Sequence, residues 1–433
     1  MWRIRASPLP PFDSKEPTFA FSCSTEGRHA NALNSSLETR MGTRFLPRAG
    51  YAVIIGAALA MPQAAFAYDP TNNPVADAVL ASLEAGGAEN AAVEDVAVSG
   101  DQIVLRGLTA DLKKDGEEGS LSAASLAFSN AFVAPDGSVS AAALAATDVK
   151  IVQDEDTIEF AALALTDMRM PGPAEVKNPV EALDKKPAYK MLEITGISLQ
   201  SAGEAAVPVE RITSTFDPIG TDGSVKATFS VEKITLNPEA VKDDDFRQKM
   251  KTLGYDSVQI DMKAEGEWSA AEGRAQLHDF EISGQDMGTF QLSATILGVT
   301  PEVIEKLKAA QEDFGKTMEL LQQLSISDLR VHFKNDSVVE RVLDQQAKDA
   351  NTDRAGLVDQ LSSSLPGILS LMRNPAFQEK VATAVTTFLE EPGTLTASAH
   401  PAQPVPVAQI VGVAMIAPQT IPDVLSVDVT ANQ

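Results

Sequence analysis

The residues with the greatest potential for chemistry are three histidines in the second half of the chain. His278, His332 and His400 are far apart, and none stands at a spacing typical of metal ligands. His278 precedes Asp279, and an imidazole beside a carboxylate can be held in one tautomer for proton transfer. Adjacent residues of a strand point to opposite faces, however, so we expect these two side chains not to touch.

Two acidic runs, residues 154–156 and 243–245, offer oxygen ligands for a divalent cation. Each lacks the spaced ligands and the glycine of a calcium loop, so we interpret both as solvated turns. The "GKT" at residues 315–317 has Ala310 where a phosphate-binding loop needs glycine, and it lies in a helical pattern. We therefore predict a non-catalytic protein without cofactor or metal site. A hydrolase with an unrecognised site is the alternative.

Residues 41–67 have the three parts of an export signal. Arg44 and Arg48 precede an apolar run, and Ala65-Phe66-Ala67 forms a cleavage site before Tyr68. We predict a signal peptide at 41–67 and a periplasmic location, with an inner-membrane anchor at residues 49–67 as the alternative. Residues 1–40 are polar and proline-containing. We interpret them as a disordered upstream extension from a start codon assigned too early, or else as a genuine extension.

The composition excludes several functions. The chain has 60 acidic and 35 basic residues and a formal net charge of −25, which repels nucleic acid and anionic lipid surfaces. Its one cysteine, Cys23, lies upstream of the predicted cleavage site. The exported part therefore has no disulfide, no thiolate nucleophile and no cysteine-bound metal.

Alternating apolar and polar residues follow a short predicted helix near Pro74. In "YDSVQIDMKAEGEWSA", Val258, Ile260 and Met262 alternate with polar residues. Asp-Gly pairs at 115–116, 136–137 and 222–223 separate such runs, as in hairpin turns. We predict an antiparallel β-rich region over residues 68–300, built as a meander of neighbouring strands.

One strand pattern recurs four times, as "LAATDVKI" (144–151), "LALTDMRM" (163–170), "LEITGISL" (192–199) and "LSISDLRV" (324–331). In each copy the apolar parity shifts at a doublet of Thr or Ser followed by Asp or Gly. Such a shift turns the rest of the strand to the opposite face unless a β-bulge absorbs the extra residue. We predict bulges at these doublets and a sheet that curls around a concave apolar side.

Residues 301–392 form a predicted helical region interrupted by one strand at 324–333. Thr300 precedes Pro301 as a helix cap, and Ser337 with Glu340 matches a capping box. Residues 393–433 return to strands around an apolar segment, 405–417, which is too short to span a bilayer. We expect this segment to be buried, with a lipid-contacting face as the alternative.

The predicted fold class is α+β. It is a curved antiparallel β-meander sheet packed against amphipathic helices, with a mostly helical C-terminal third. The repeated strand pattern and the export signal resemble the β-rich AsmA-like and YdgA-like envelope proteins of Gram-negative bacteria, over residues 91–333. The resemblance implies a periplasmic protein associated with lipid or with envelope assembly. The chain differs in its cleavable signal and its helical last third.

The functional expectation is an exported, non-catalytic periplasmic envelope protein that binds a lipid-like or apolar ligand on a concave sheet face. The expected partner is a lipid or an envelope protein, with no nucleic acid and with peripheral or no membrane association. A scaffold of the cell envelope with a fully packed core is the alternative. The residues that we expect on the ligand face are Trp268, Phe290, Leu292, Phe314 and Met318.

Overall fold

The computed structural model describes residues 68–433 apart from 115–116, 178–187, 202, 220, 222, 242 and 311–312. The predicted extension, signal peptide and alternative anchor lie outside the described residues. So do Cys23 and the predicted turn at 115–116.

Seventeen strands of the described residues belong to one sheet, and every pairing between them is antiparallel. The first nine are β1 (Ala88–Ala92), β2 (Asp95–Ser99), β3 (Gln102–Lys114), β4 (Glu117–Ser129), β5 (Phe132–Val133), β6 (Val139–Gln153), β7 (Asp156–Met170), β8 (Met191–Gln200) and β9 (Val207–Ile219). The other eight are β10 (Ser224–Leu236), β11 (Val258–Ser269), β12 (Arg274–Gly284), β13 (Gly288–Leu297), β14 (Ser325–Asn335), β15 (Thr394–Ala399), β16 (Val405–Pro406) and β17 (Val427–Ala431).

Most strands pair with the next strand along the chain, as in a meander. From β6 to β15 the order in the sheet follows the order in the sequence. At one end β1 and β2 both pair with β3, and β4 pairs with β6 because β5 is only two residues long. At the other end β15 pairs with β17, while the short β16 pairs with the start of β14.

The helices of the described residues mostly follow β13. They are α1 (Pro74–Ala85), α2 (Pro173–Lys177), α3 (Asp244–Thr252), α4 (Pro301–Ala309), α5 (Phe314–Leu321), α6 (Val338–Asp349), α7 (Arg354–Leu369), α8 (Pro375–Glu390), α9 (Val407–Ile416) and α10 (Ile421–Val424).

The predicted cap at Thr300 is confirmed, because its hydroxyl accepts a hydrogen bond from the Val303 amide at 3.3 Å. The predicted capping box at Ser337 is wrong. Its hydroxyl donates to the Asp286 carbonyl, and Glu340 accepts from Asn335.

The predicted fold class is wrong. Strands make up 46% of the described residues and helices 32%, so the molecule is mostly one large antiparallel sheet without a helix-dominated C-terminal third. The sheet continues through β14, β15 and β17 to Ala431. The helical patterns of this region are strong local signals, whereas β15 and β17 have only six and five residues. Their pairing depends on contacts with distant residues, which local periodicity does not show.

Strands β3, β4 and β6 to β10 all change side-chain parity along one line that crosses the sheet. Each has two consecutive residues outside the core between two inward apolar positions, such as Thr147 and Asp148 between Ala146 and Val149. Because every strand adds a residue at the same level, pairing resumes in the same register on both sides. The residues in the left-handed region on this line lie on alternate strands: Gly107 (φ 63°), Asp148 (φ 47°), Gly196 (φ 65°) and Lys233 (φ 51°).

Of the predicted bulges, the one in the fourth repeat is confirmed by a register shift. Thr295 and Ile296 of β13 face Asp328 and Ile326 of β14, which leaves Ser327 as the extra residue. The line of aligned parity shifts ends between β10 and β11, also at a register shift. Val231 and Ile234 of β10 face Met262 and Ile260 of β11, and the Lys233 amide donates to Asp261 Oδ1 at 2.8 Å. All four doublets therefore lie within strands and not at hairpin tips.

The main hydrophobic core belongs to α1 and strands β3 to β10. Val75, Val79 and Leu80 of α1 pack with the inward apolar residues of these strands. Asn73 caps this helix by accepting hydrogen bonds from the Val75 and Ala76 amides at 3.0 and 3.2 Å. Two smaller clusters form around Met250 of α3 and around Leu343 of α6 with Leu357 of α7.

Candidate binding face

Apolar side chains form continuous rows on one face of strands β10 to β14. Residues directly opposite in an antiparallel pair point to the same face. One row runs from Phe229 through Ala264, Phe280 and Leu292 to Val331, and the next from Val231 through Met262, Ile282 and Phe290 to Phe333. We call these ten side chains the apolar face: Phe229, Val231, Met262, Ala264, Phe280, Ile282, Phe290, Leu292, Val331 and Phe333.

The burial of one row decreases along the sheet. On the other side of Val231 the row that contains Phe290 continues to Leu163 and Leu105 in the main core. Leu105 is 0% exposed, Leu163 is 4% exposed and Phe290 is 37% exposed. One row therefore forms a packed core at one end of the sheet and an accessible apolar surface further along.

The helices leave most of the apolar face accessible, because α1 and α8 pack near the two ends of the sheet and α3 packs beside the face. Helix α1 contacts β1, β3, β5 and β6, and α8 contacts β15 and β17. Helix α8 reaches only the margin of the face, where the rings of Phe388 and Phe333 meet edge to face at 6.1 Å. Met250 of α3 packs near Leu236 and Ile260, beside the face. Most of the apolar face stays half-buried, and Phe229 is 42% exposed.

The opposite face of the same strands is polar and carries ion pairs. Lys226 Nζ lies 2.7 Å from Glu265 Oε1, and Lys263 Nζ lies 3.1 Å from Asp279 Oδ2 and 3.3 Å from Glu281 Oε2. The hydrogen bond from Lys226 lowers the pKa of Glu265, and the hydrogen bond to Asp279 raises the pKa of Lys263. The sheet is thus amphipathic in this region, with one face for water and one for apolar material.

The structure places three of the five predicted site residues on the same side of the sheet. Phe290 and Leu292 belong to the apolar face. Trp268 of β11 lies on the same side two rows further along, between Val225 and Ala275. The Trp268 indole donates a hydrogen bond to the Val299 carbonyl at 2.7 Å. Phe314 and Met318 instead lie on α5, where Phe314 is 80% exposed.

Sequence reasoning missed several members of the apolar face. Phe229, Phe280 and Ile282 belong to it, and the signal for them was the alternation within β10 and β12. The alternation marks one side of each strand. It does not give the register that puts those sides into shared rows.

The residues considered for catalysis are dispersed. His278 is the extra residue of a bulge, with its Nε2 atom 3.9 Å from Glu267 Oε2, while Asp279 pairs with Lys263. The His332 Nδ1 atom lies 2.8 Å from the Thr396 hydroxyl, and His400 pairs with Asp328. Among the described residues no group of three or more His, Cys, Asp and Glu side chains is arranged to hold a metal ion.

An open cleft of about 500 Å3 lies between α8 and β17. Its lining is small or polar and includes Ala376, Glu379, Lys380 and Thr383 of the helix. Lys380 Nζ is 2.7 Å from Asp428 Oδ1 of β17. This cleft is less apolar in character than the apolar face.

None of the helices in the described part of the chain has the length and apolar character that a membrane span requires.

Comparison with known proteins gives one partial match. A family model described as "Uncharacterized protein" matches residues 281–432, which is less than half of the chain. The match begins within β12 and ends just after β17. No curated protein matches the chain.

Proposed function

We propose that this protein is an exported, non-catalytic component of the cell envelope that binds a lipid-like ligand along the apolar face. The observation that carries the proposal is the row containing Phe290, which is closed from water in the main core and open from Met262 onward. The bound ligand is an acyl chain or another extended apolar molecule.

The half-exposed rows support this ligand class. Contiguous apolar surface on a soluble protein marks sites for ligands, partners or membranes. The rows extend across five strands, which at about 4.8 Å between strands gives a surface nearly 20 Å long. An acyl chain is long, narrow and apolar, and it gains roughly 0.8 kcal/mol for each methylene that it buries. The face carries no charged side chain that would have to lose its water.

The envelope assignment is supported by the export signal at residues 41–67 and by the acidic, cysteine-free composition downstream of it. The dispersed histidines and the separate partners of His278 and Asp279 favour binding over catalysis.

The test uses Trp268 as an internal reporter. The chain has two tryptophans, so a full-length Trp2→Phe variant retains Trp268 as its single tryptophan. Titration with a fatty acid that carries bromine atoms near its middle is expected to quench Trp268 fluorescence with saturation. Bromine quenches only at short range, and Trp268 lies on the same side of the sheet as the apolar face.

A matched pair of variants locates the site. In the Trp2→Phe background, Phe290→Asn with Leu292→Asn places polar groups on the apolar face. This change is expected to weaken binding at least tenfold, or about 1.4 kcal/mol. Thr289→Asn with Ser293→Asn introduces the same two asparagines on the opposite, already polar face of β13 and is expected to bind normally. Absence of saturable quenching, or equal affinity in both variants, would refute the proposal.

An envelope scaffold is the second candidate, favoured by the edge of the sheet. Within the described residues β17 pairs with β15 alone, and an unpaired strand edge can add a strand from another protein. Recovery of a crosslinked protein partner at β17, with no bromine quenching of Trp268, would select the scaffold over the lipid binder.

A further inference from the structure

Four apolar side chains near the end of the chain are far more exposed than the apolar face. Ile368 of α7 is 62% exposed and Leu371, in the turn after it, is 84% exposed. Met415 and Ile416 at the end of α9 are 82% and 88% exposed. We call these four residues the apolar tip.

Hydrogen bonds join the segments that follow the two halves of the apolar tip. Asn374, at the start of α8, donates to the Gln419 carbonyl at 3.1 Å and to Asp423 Oδ2 at 3.2 Å. Leu371 lies three residues before Asn374, and Ile416 lies three residues before Gln419. Two segments far apart in the sequence, each with exposed aliphatic or thioether side chains, therefore end three residues before a pair of hydrogen-bonded residues.

Helix α9 is apolar around its whole circumference. Its sequence, VAQIVGVAMI, has one polar side chain, Gln409, and the stretch between His400 and Asp423 has no charged residue. A helix that is apolar all round is normally buried. No residue of α9 is buried, although we expect from the sequence that segment 405–417 is. The described part of the chain covers α9 only in part, because Ile410, Val411 and Val413 are half-buried whereas Ala414, Met415 and Ile416 are exposed.

We propose that the apolar tip and α9 dock the protein on the surface of a lipid bilayer. A protein groove would cover one side of the helix and leave its other apolar sides in water. The hydrocarbon boundary of a bilayer surrounds an inserted helix on most sides. Ten residues of helix are about 15 Å long, half of the hydrocarbon thickness, so α9 lies in the interface and does not cross it.

The charge of the molecule defines which bilayer it prefers. The net charge of −25 is repelled by anionic headgroups, whereas the uncharged stretch at α9 has no basic residue to attract them. We therefore infer docking by apolar insertion on zwitterionic lipid, with little dependence on salt. This docking is separate from ligand binding at the apolar face, and each can fail without the other.

The test places an environment-sensitive fluorophore on the apolar tip. Full-length Cys23→Ser protein has no cysteine, so Ile416→Cys gives one labelling site for a nitrobenzoxadiazole probe. Phosphatidylcholine vesicles are expected to shift its emission to the blue. Glu155→Cys, at the exposed turn between β6 and β7, is the control and is expected to show no shift. Half of the lipid replaced by phosphatidylglycerol is expected to weaken binding.

Unlabelled variants separate the apolar tip from other exposed apolar residues. Met415→Glu with Ile416→Glu is expected to reduce co-sedimentation with phosphatidylcholine vesicles at least tenfold. Both side chains are largely in water, so the urea midpoint is expected to stay unchanged. Val98→Glu with Phe132→Glu, at residues 61% and 60% exposed, adds the same charge elsewhere and is expected to sediment normally.

Three results would overturn the proposal. They are the absence of a blue shift, equal sedimentation of the two double variants, and a blue shift without vesicles accompanied by crosslinks between copies. The last result would assign the apolar tip to protein contact.

Discussion

At the residue scale, the line of aligned parity shifts depends on a few backbone conformations. Asp148 has a φ of 47°, and Asp167, at a separate parity shift near the end of β7, has a φ of 46°. This left-handed region costs most side chains roughly 1 kcal/mol, but Asp tolerates it. Gly196 occupies the position on β8 that is equivalent to Asp148, with φ 65°. A Cβ atom there would lie 2.8 Å from the Ala161 Cβ atom on β7. The doublets in the sequence therefore predict where these conformations fall.

Gly196→Ala is expected to destabilise the protein by about 2 kcal/mol, because it combines left-handed strain with a close contact in the middle of the sheet. Asp148→Gly is expected to be neutral or slightly stabilising, since glycine adopts this φ without strain. Urea unfolding followed by circular dichroism measures both changes. Gly412→Ala on α9, where an added Cβ meets nothing within 4 Å, is the control and is expected not to destabilise. Equal effects of Gly196→Ala and Gly412→Ala would contradict this account.

At the scale of elements, strands with similar patterns have different roles. Leu163 of β7 is buried in the main core. Leu292 of β13 lies on the same side of the sheet but is only half-buried. The difference comes from what lies over each strand. The apolar side of the amino-terminal strands packs into the cluster that includes α1, and the helices after β13 pack toward β15 and β17.

Leu163→Ala is expected to cost about 3 kcal/mol, as for a leucine removed from a packed core. Leu292→Ala is expected to cost less than about 1.5 kcal/mol, because much of that side chain remains in contact with water in the folded state. The two variants have the same chemistry on the same side of one sheet, so each is the control for the other. Urea titrations measure the free energy of unfolding of both variants and of the parent protein. A cost for Leu292→Ala as large as that for Leu163→Ala would mean that β13 is covered by material that closes the apolar face.

At the scale of the whole molecule, the excess of acidic residues sets the electrostatic background. Removing any one carboxylate relieves repulsion in a chain of net charge −25. Asp344 of α6 has a partner that offsets this repulsion, because Arg354 of α7 donates to both of its oxygens, at 2.7 and 2.5 Å. The hydrogen bonds from Arg354 lower the pKa of Asp344 below its ordinary value near 3.8.

Asp344→Asn is expected to lower the urea midpoint at pH 7, whereas Asp359→Asn, an exposed carboxylate of α7, is expected to leave it unchanged or raise it. A lowered pKa in the folded state stabilises the protein above the pKa of the unfolded state, and this stabilisation is lost as pH falls through the folded value. The difference between Asp344→Asn and the parent protein should therefore shrink as the pH falls below the ordinary pKa near 3.8 and disappear below the lowered pKa of the folded state. Because the pair is solvent-accessible, 1 M salt should also reduce the difference. A difference that persists at low pH would show that the pair does not act through its charge.

The sequence by itself determined the β-rich character, the parity shifts at the four doublets and the wide separation of the three histidines. Period-two alternation and Thr-Asp or Thr-Gly doublets are local features, because the side-chain direction of a strand and the conformations open to Asp and Gly depend on neighbouring residues. The same pattern identified Phe290 and Leu292 as apolar and inward.

Only the tertiary structure decided which apolar rows are covered. The register that aligns Phe229 with Phe280 and Leu292 depends on hydrogen bonds between strands distant in the sequence. The structure also placed Phe314 in solvent and joined β15 and β17 to the sheet, contrary to a helical C-terminal third. The burial of an apolar side chain depends on what packs over it, and the alternation within one strand carries no information about that covering layer.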